Sequence, residues 1–178
     1  MAHFEKTISE ETVYSCRVFT VKKRSVFLEN GNYANRDLVI HNGGACILPM
    51  DSDGNVYFVR QYRAPFNREI LELPAGKLEK NEEPIKAAGR ELGEETGFTA
   101  EKIVPLGEFW PSVGYCSEII YLFAATGLKP GEVHPDDDEF VTAEKIPFKT
   151  AYKMCVNGEI SDGKTIRAIF RAKEICDL

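Results

Sequence analysis

One segment, residues 84–97, constrains the fold more than any other part of the chain. It begins with Pro84, which suits the first turn of a helix, and ends with Gly97, which suits the position just after the last helical residue. The pattern therefore predicts a helix that ends at Thr96. The runs on either side are short and rich in β-branched and aromatic residues, which is typical of strands. The chain should therefore combine helices with several short strands.

Three glutamates crowd one face of the predicted helix. At about 100° per residue, Glu91 lies beside Glu94 and Glu95, three and four residues further along. Each like-charged pair costs roughly 0.2–0.5 kcal/mol in an isolated helix, and the helix dipole also disfavours negative charge in its second half. A divalent cation would reverse the sign of this effect, because converging carboxylate oxygens suit Mg²⁺ or Mn²⁺. The alternative is a solvated acidic helix face that binds nothing.

The rest of the chain is predicted to contain strands before the helix and both strands and helices after it. Residues 12–40 predict a small antiparallel meander, because short strand-like runs are separated by turn residues. Residues 44–60 predict a hairpin of two buried strands around a turn at 51–55, and a third strand ends at Pro74. The remaining predicted elements are strands at 103–110 and 119–125 and helices at 148–156 and near 164–176.

Composition limits the partners of the protein. The chain has 178 residues, enough for one well-buried core with an appendage. A net charge of −6 without a Lys/Arg-rich run argues against nucleic acid as a partner. No apolar run is long enough to cross a membrane and the first residues are too charged for a secretory signal, so we expect a cytoplasmic protein without a membrane partner. Five scattered cysteines without metal-ligand spacing predict reduced thiols.

Residues 76–98 resemble the signature of a known enzyme family. Gly76, five residues, Glu82, seven residues and then Arg-Glu-Leu-Gly-Glu-Glu-Thr-Gly-Phe at 90–98 resemble the complete Nudix box, with every fixed position filled. The resemblance implies an α+β fold, an α/β/α sandwich around a mixed sheet, here preceded by the N-terminal antiparallel β-meander. We expect residues 1–42 to form a strand region for dimerisation and substrate contact, and residues 43–178 to form the Nudix hydrolase domain.

The resemblance also implies a loop–helix–loop that binds divalent cations, Mg²⁺ first and Mn²⁺ as a substitute. Carried over residue by residue, the metal ligands would be Glu91, Glu95, Glu94, Glu82 and the backbone carbonyl of Ala75. Glu82 could instead support a ligand, and Arg90 would orient the acids, so that Arg90 and Glu94 belong to the catalytic set. Such cations neutralise phosphate oxygens and lower the pKa of bound water, which suits hydrolysis of a pyrophosphate.

Outside the box, residues 60–80 resemble the ADP-ribose and nucleoside-diphosphate-sugar pyrophosphatase branch, and the likeness extends over about residues 5–175. The resemblance implies hydrolysis of such a sugar nucleotide, ADP-ribose first, to a nucleoside monophosphate and a sugar phosphate. Arg63 would bind the substrate phosphates and Arg36 would contact the nucleotide side, while the alternative for each is a surface arginine. In this branch the N-terminal strands commonly form a homodimer, which would cover the meander.

Residues 111–118 resemble the loop that carries Ser-Pro-Gly and a later Glu in ADP-ribose pyrophosphatases. Ser112, Gly114 and Glu118 match and are candidate substrate contacts, but Val113 stands in the diagnostic proline position. A related group that acts on GDP-mannose has an apolar residue in this slot. GDP-mannose or another sugar nucleotide is therefore the alternative substrate.

Residues 132–141 fall where this branch has an acidic loop that supplies the general base. Glu139 aligns best with that role, and Asp138 or Asp136 are the alternatives. A function from another class also stays open, namely a Nudix-fold module that binds a nucleotide sugar without cutting it. Such modules usually lose acids of the box, and this chain has all of them.

Overall fold

The structure, a computed structural model, describes residues 3–132 and 140–175. Its elements are numbered in chain order. The strands are β1 (Lys6–Ser15), β2 (Phe19–Phe27), β3 (Tyr33–His41), β4 (Gly44–Pro49), β5 (Asn55–Arg63), β6 (Arg68–Glu72), β7 (Ala75–Lys77), β8 (Phe98–Phe109), β9 (Ile120–Pro130) and β10 (Val141–Pro147). The α-helices are α1 (Pro84–Thr96), α2 (Phe148–Val156) and α3 (Gly163–Ile175). The chain divides into two units, one with the residues up to Gly43 and Trp110–Ile119, the other with Gly44–Phe109 and the residues from Ile120 onward.

The N-terminal unit is built on the predicted meander. Strands β1, β2 and β3 form an antiparallel sheet in this order. Trp110–Ile119 belongs to this unit because Val39 accepts a hydrogen bond from the N–H of Ser117 (2.9 Å) and donates one to the carbonyl of Tyr115 (2.8 Å). Within the three strands as described, Val26 is buried and the other side chains are half-buried or exposed. The sheet therefore has little core of its own.

The second unit is the expected α/β/α sandwich. Its main sheet has the order β7-β4-β9-β8 and is mixed, because β4 runs parallel to β9 while the other neighbours are antiparallel. Alternate residues of a strand point to opposite faces of a sheet. Ile47 of β4 packs in one core cluster with Leu92 of α1, and Leu48 packs in another with Ile169 of α3. The predicted α+β fold class is confirmed.

The expected hairpin of β4 and β5 is wrong. The turn at 51–55 forms, with Asp51 Oδ1 accepting hydrogen bonds from the N–H groups of Asp53 (3.0 Å) and Asn55 (2.9 Å). The two strands, however, join only through a bridge between Met50 and Val56 and then enter different sheets. Strand β4 has β7 and β9 on its two sides, and β5 lies between β6 and β10. One partner of each strand, β9 for β4 and β10 for β5, comes from a distant part of the sequence.

The helices follow the predicted pattern closely. Helix α1 begins at Pro84 and ends at Thr96, and Gly97 adopts a left-handed conformation with φ 70° while its N–H binds the Gly93 carbonyl (2.9 Å). Helix α2 has the predicted bounds, and α3 begins one residue before the predicted start. None of the helices in the described part of the chain is both long and apolar enough to cross a membrane.

Candidate active site

Strand β7 approaches α1 closely where Gly76 lies against the carboxylate of Glu91. Pairing of β7 with β4 places Gly76 opposite Ala45. A Cβ atom on Gly76 would lie 1.9 Å from Oε1 of Glu91, so this position accepts only glycine while the carboxylate stays where it is. Gly44 has the same requirement, because a Cβ there would lie 2.9 Å from the Gly76 carbonyl oxygen. The strand pairing and the helix face are therefore fitted to each other.

Arg90 connects three of the predicted acids. Its Nε and Nη2 donate to the two carboxylate oxygens of Glu82 (3.0 and 3.1 Å), and its Nη1 donates to Glu91 Oε1 and Glu94 Oε2 (2.8 Å each). Hydrogen bonds with Glu82 raise the pKa of Arg90, and those from Arg90 lower the pKa of Glu82. The guanidinium thus offsets the like-charge repulsion that the helix pattern predicted.

Glu95 and Glu91 are the buried acids of the cluster, with exposed fractions of 3% and 7%. The backbone N–H of Ala75 donates to Glu95 Oε2 (3.1 Å), which ties the last turn of α1 to the start of β7. Burying a carboxylate is costly unless it is hydrogen-bonded or paired. The structure therefore brings five of the sequence-predicted residues to one loop and helix. They are Ala75, Glu82, Glu91, Glu94 and Glu95.

The donor set fits a divalent cation. Carboxylates from one helix and the backbone of Ala75 supply hard oxygen ligands of the kind that Mg²⁺ prefers. The glycine at position 76 leaves no side chain between the Glu91 carboxylate and the loop backbone. Among residues 3–132 and 140–175, no three acidic, His or Cys side chains converge as a preformed cation site. Arg90 supplies the positive charge beside these acids in the structure.

Arg63, the predicted phosphate ligand, is the last residue of β5 and pairs with Glu72. Its Nε and Nη2 donate to the two Glu72 carboxylate oxygens (2.7 and 2.9 Å). Burial lowers the pKa of Arg63, but the hydrogen bonds and charge of Glu72 outweigh it and raise this pKa above its usual value. The negative charge of Glu95 acts in the same direction, so the charge of Arg63 is also stabilised by one acid of α1.

Sequence reasoning missed the residues that surround Arg63. Glu72 is buried, and it also binds Lys164, which in turn binds Asp162 Oδ2 (3.0 Å). Asp162 accepts a hydrogen bond from the Thr165 N–H (3.1 Å) and caps α3. An aspartate just before a predicted helix is a usable capping signal. The contact between Lys164 and Glu72, however, spans 92 positions and has no local signature.

The other predicted substrate contacts lie in the N-terminal unit. Arg36 donates to Glu5 (Nε–Oε2, 3.2 Å), and Glu118 lies 3.6 Å from Nδ1 of His41. The Ser112 carbonyl accepts the N–H of Cys116 (2.9 Å), so the loop that carries Ser112 and Gly114 is a turn. The same segment lines a pocket of about 210 Å³. The general-base candidates Glu139, Asp138 and Asp136 lie outside the described residues.

The α/β/α sandwich and the acids of α1 provide the scaffold and the candidate cation site of a hydrolase. Comparison with known families shows to which family this scaffold belongs. The model of the NUDIX domain matches residues 40–169. The chain therefore belongs to the Nudix family, and the resemblance inferred from residues 76–98 is confirmed.

Three curated relatives illustrate the range of names among similar proteins. The ADP-ribose pyrophosphatase of Bacillus subtilis (strain 168) is 40% identical over 167 residues, which cover 93% of this chain and 90% of the relative. The methanol dehydrogenase activator of Bacillus methanolicus is 38% identical with the same coverage. The GDP-mannose pyrophosphatase of Yersinia pestis (strain Pestoides F) is 34% identical over 140 residues, 70% of this chain and 67% of the relative.

A solved structure supports the fold independently. The chain is similar to an ADP compounds hydrolase with a TM-score of 0.87, over 97% of this chain and 94% of the other. The two sequences are 23% identical, so this likeness concerns the fold alone.

Proposed function

We propose that this protein hydrolyses the pyrophosphate bond of a nucleoside diphosphate sugar, with ADP-ribose as the first substrate, to a nucleoside monophosphate and a sugar phosphate. The observation that carries the proposal is the complete set of box acids, three on one face of α1 and Glu82 in the loop before it, which Arg90 and Ala75 bind. Similarity to an ADP-ribose pyrophosphatase over 93% of the chain supports it.

In this proposal Glu91 and Glu95 are the principal ligands of divalent cations, with Mg²⁺ expected and Mn²⁺ as a substitute. Glu94, Glu82 and the Ala75 carbonyl complete the set. When bound, the cations would neutralise phosphate oxygens and lower the pKa of the attacking water. Arg90 holds Glu82, Glu91 and Glu94 in position. It transfers no proton in the reaction, because its pKa is raised further above the usual range.

Two further residues complete the proposed reaction. Arg63 presents a planar guanidinium that suits phosphate oxygens, and its side chain is 37% exposed, so a ligand can reach it. Glu139 is the proposed general base for the attacking water, with Asp138 or Asp136 as alternatives. Arg36, Ser112, Gly114 and Glu118 remain candidate substrate contacts.

GDP-mannose is the second candidate substrate. Val113 occupies the position where a proline is diagnostic of the ADP-ribose enzymes, and its side chain is exposed. Similarity to a GDP-mannose pyrophosphatase over 70% of the chain favours the same alternative.

A substrate panel tests both candidates. The protein is incubated with ADP-ribose, GDP-mannose, ADP-glucose, UDP-glucose, NADH and nucleoside triphosphates, and phosphate release is measured through a coupled phosphatase. We expect turnover of a sugar nucleotide that requires added Mg²⁺ and is abolished by EDTA. Glu95→Gln should lose most of this turnover, whereas Glu101→Gln, a surface acid paired with Lys129, should retain it. Binding of a sugar nucleotide in EDTA without any product after Mg²⁺ is restored would identify a non-catalytic module instead.

We further propose that the working unit is a cytoplasmic homodimer formed through the N-terminal sheet, without nucleic acid or membrane partners. All ten residues of β1 are exposed in the single chain, which supports a covered surface in the assembly. The net charge of −6 disfavours a nucleic-acid partner.

A further inference from the structure

A second polar site lies outside the Nudix box, in a cleft of about 330 Å³ where β5 and β6 meet the start of α3. Arg63 and Glu72 line it from the strands, Asp162 lines it from the position just before α3, and Lys164 lines it from the first turn of α3. We call these four residues the ion network. Two cations face two carboxylates within it, so its formal charge is zero.

The network joins the start of α3 to the backbone that leads into the box. Lys164 Nζ binds both Glu72 and Asp162. The Thr165 hydroxyl donates to Asp162 Oδ2 (2.6 Å) and accepts the N–H of Leu73 (2.8 Å). Glu72 and Leu73 are therefore both fixed by α3, a short distance in sequence before the proposed metal-binding carbonyl of residue 75.

Two residues of the network, Glu72 and Lys164, are buried and therefore depend on their charged partners. Glu72 and Lys164 have exposed fractions of 3% and 8%, and a buried charge that loses its partner is costly. Burial lowers the pKa of Lys164, but the charges of Asp162 and Glu72 outweigh it and raise this pKa above its usual value. Lys164 therefore stays charged and holds Glu72 in one place.

The contact between Glu72 and Arg63 sets the orientation of a ligand-accessible cation. Both carboxylate oxygens of Glu72 are engaged by Nε and Nη2 of Arg63, which fixes the guanidinium plane. A guanidinium has five N–H groups in one plane, so three take no part in this contact. Those groups can meet phosphate oxygens without breaking the pair.

We propose that Glu72 is a positioning residue for Arg63, and that Lys164 and Asp162 at the start of α3 hold Glu72 for this purpose. The inference rests on the proposed function, because it takes Arg63 as the ligand of the substrate pyrophosphate. It assigns α3, which carries no part of the box, to the substrate site.

Glu72→Gln separates positioning from simple charge. Removal of a carboxylate beside a polyanion should tighten binding if only net charge matters. Positioning predicts the opposite, because glutamine cannot offer two acceptor oxygens to the guanidinium. We expect KM and the Kd of substrate to rise about tenfold, the loss typical of one charge-assisted hydrogen bond, with kcat largely unchanged.

A double-mutant cycle asks whether Glu72 acts through Arg63. If it does, Glu72→Gln should add little to the effect of Arg63→Gln, and the same holds for Lys164→Met. Effects that multiply, as independent structural damage would produce, overturn the proposal. So does a Glu72→Gln protein with unchanged or tighter binding.

Controls and readouts keep the outcomes distinct. Lys129→Met, at an exposed ion pair with Glu101, should leave KM unchanged. Thermal melting identifies variants that fail to fold. If Lys164→Met does not fold, Glu72→Gln is the milder change, because in that variant Lys164 keeps Asp162 as its charged partner.

Kd is measured by calorimetry with ADP-ribose and with GDP-mannose in EDTA. Wild-type protein that binds but never turns over refutes the proposed function alone, whereas wild-type protein that binds neither ligand refutes this inference as well.

Discussion

Gly76 shows how a single residue fixes the geometry of the site. Its Cα lies so close to Glu91 that a methyl group would overlap the carboxylate, at 1.9, 2.2 and 2.5 Å from its three terminal atoms. Glycine is thus required here for space, since the residue has no positive φ that would demand it. The first fixed position of the box is explained by this contact.

We predict that Gly76→Ala lowers turnover roughly 10–100-fold, the range seen when a residue that orients a metal ligand is changed. The added methyl group must displace the Glu91 carboxylate from the loop. The free energy of unfolding should fall by about 1–3 kcal/mol through overpacking. Steady-state kinetics with Mg²⁺ and thermal melting of the same preparation measure the two effects.

Gly89→Ala is the matched control for that substitution. It lies on the same helix, and a Cβ there would make an ordinary contact of 3.6 Å with Ile103 Cδ1. Alanine should stabilise the helix by up to about 1 kcal/mol and leave turnover unchanged. Equal losses in the two variants would mean that the close approach at Gly76 has no special role.

Sequence reasoning identified the box residues because their spacing is itself the signal. Glu91 and Glu95 were predicted to share a face, and both are buried beside the same loop. Glu72 and Lys164 could not be predicted in this way, because 92 positions separate them and neither belongs to a sequence pattern. Contacts of this kind become visible only when β6 and α3 are packed together.

At the scale of elements, α1 was predictable from the sequence, whereas the pairing partners of β4 and β5 were not. Pro84 and Gly97 mark the helix ends through local chemistry, and the structure has the same bounds. Pairing of β5 with β10 joins distant segments, for example Arg60 and Glu144 at a separation of 84 positions. The turn after β4 was therefore identified correctly, while the hairpin inferred from it was wrong.

We predict that Arg90→Gln destabilises α1 and the loop before it, and that Mg²⁺ restores part of the loss. Without the guanidinium, Glu82, Glu91 and Glu94 lose their shared cation. The free energy of unfolding should fall by about 1–3 kcal/mol in EDTA, as expected for hydrogen bonds between charged groups. A bound cation would replace the missing charge and stabilise the folded state by mass action. Denaturant titrations with and without Mg²⁺ measure both effects.

Lys86→Gln provides the comparison on the same helix. Lys86 pairs with Glu83 at 3.1 Å on the surface, and such pairs contribute about 0.5 kcal/mol or less. Its unfolding should respond to Mg²⁺ as wild type does. An Arg90→Gln protein as stable as wild type in EDTA would contradict the view that Arg90 offsets the acids.

For the whole molecule, the N-terminal sheet poses the main physical question. A three-stranded sheet with one buried side chain in its described strands is marginal without a covering partner. The pairing of β1 with β2 is also irregular at two residues, Ile8 and Val13, and both of these apolar side chains are exposed. Sequence reasoning predicted the meander and its need for cover, but the covering surface depends on assembly and has no local pattern.

We predict that light scattering gives twice the 20.0 kDa mass of one chain, and that Val13→Asp shifts the protein toward the monomer. Val13 is 63% exposed in the single chain, and a buried, unpaired carboxylate in a subunit interface would be strongly unfavourable. Val156→Asp is the matched control, because Val156 is a similarly exposed valine (58%) on α2. It should remain dimeric. A monomeric wild-type protein, or dissociation by Val156→Asp rather than Val13→Asp, would exclude an interface built on the N-terminal sheet.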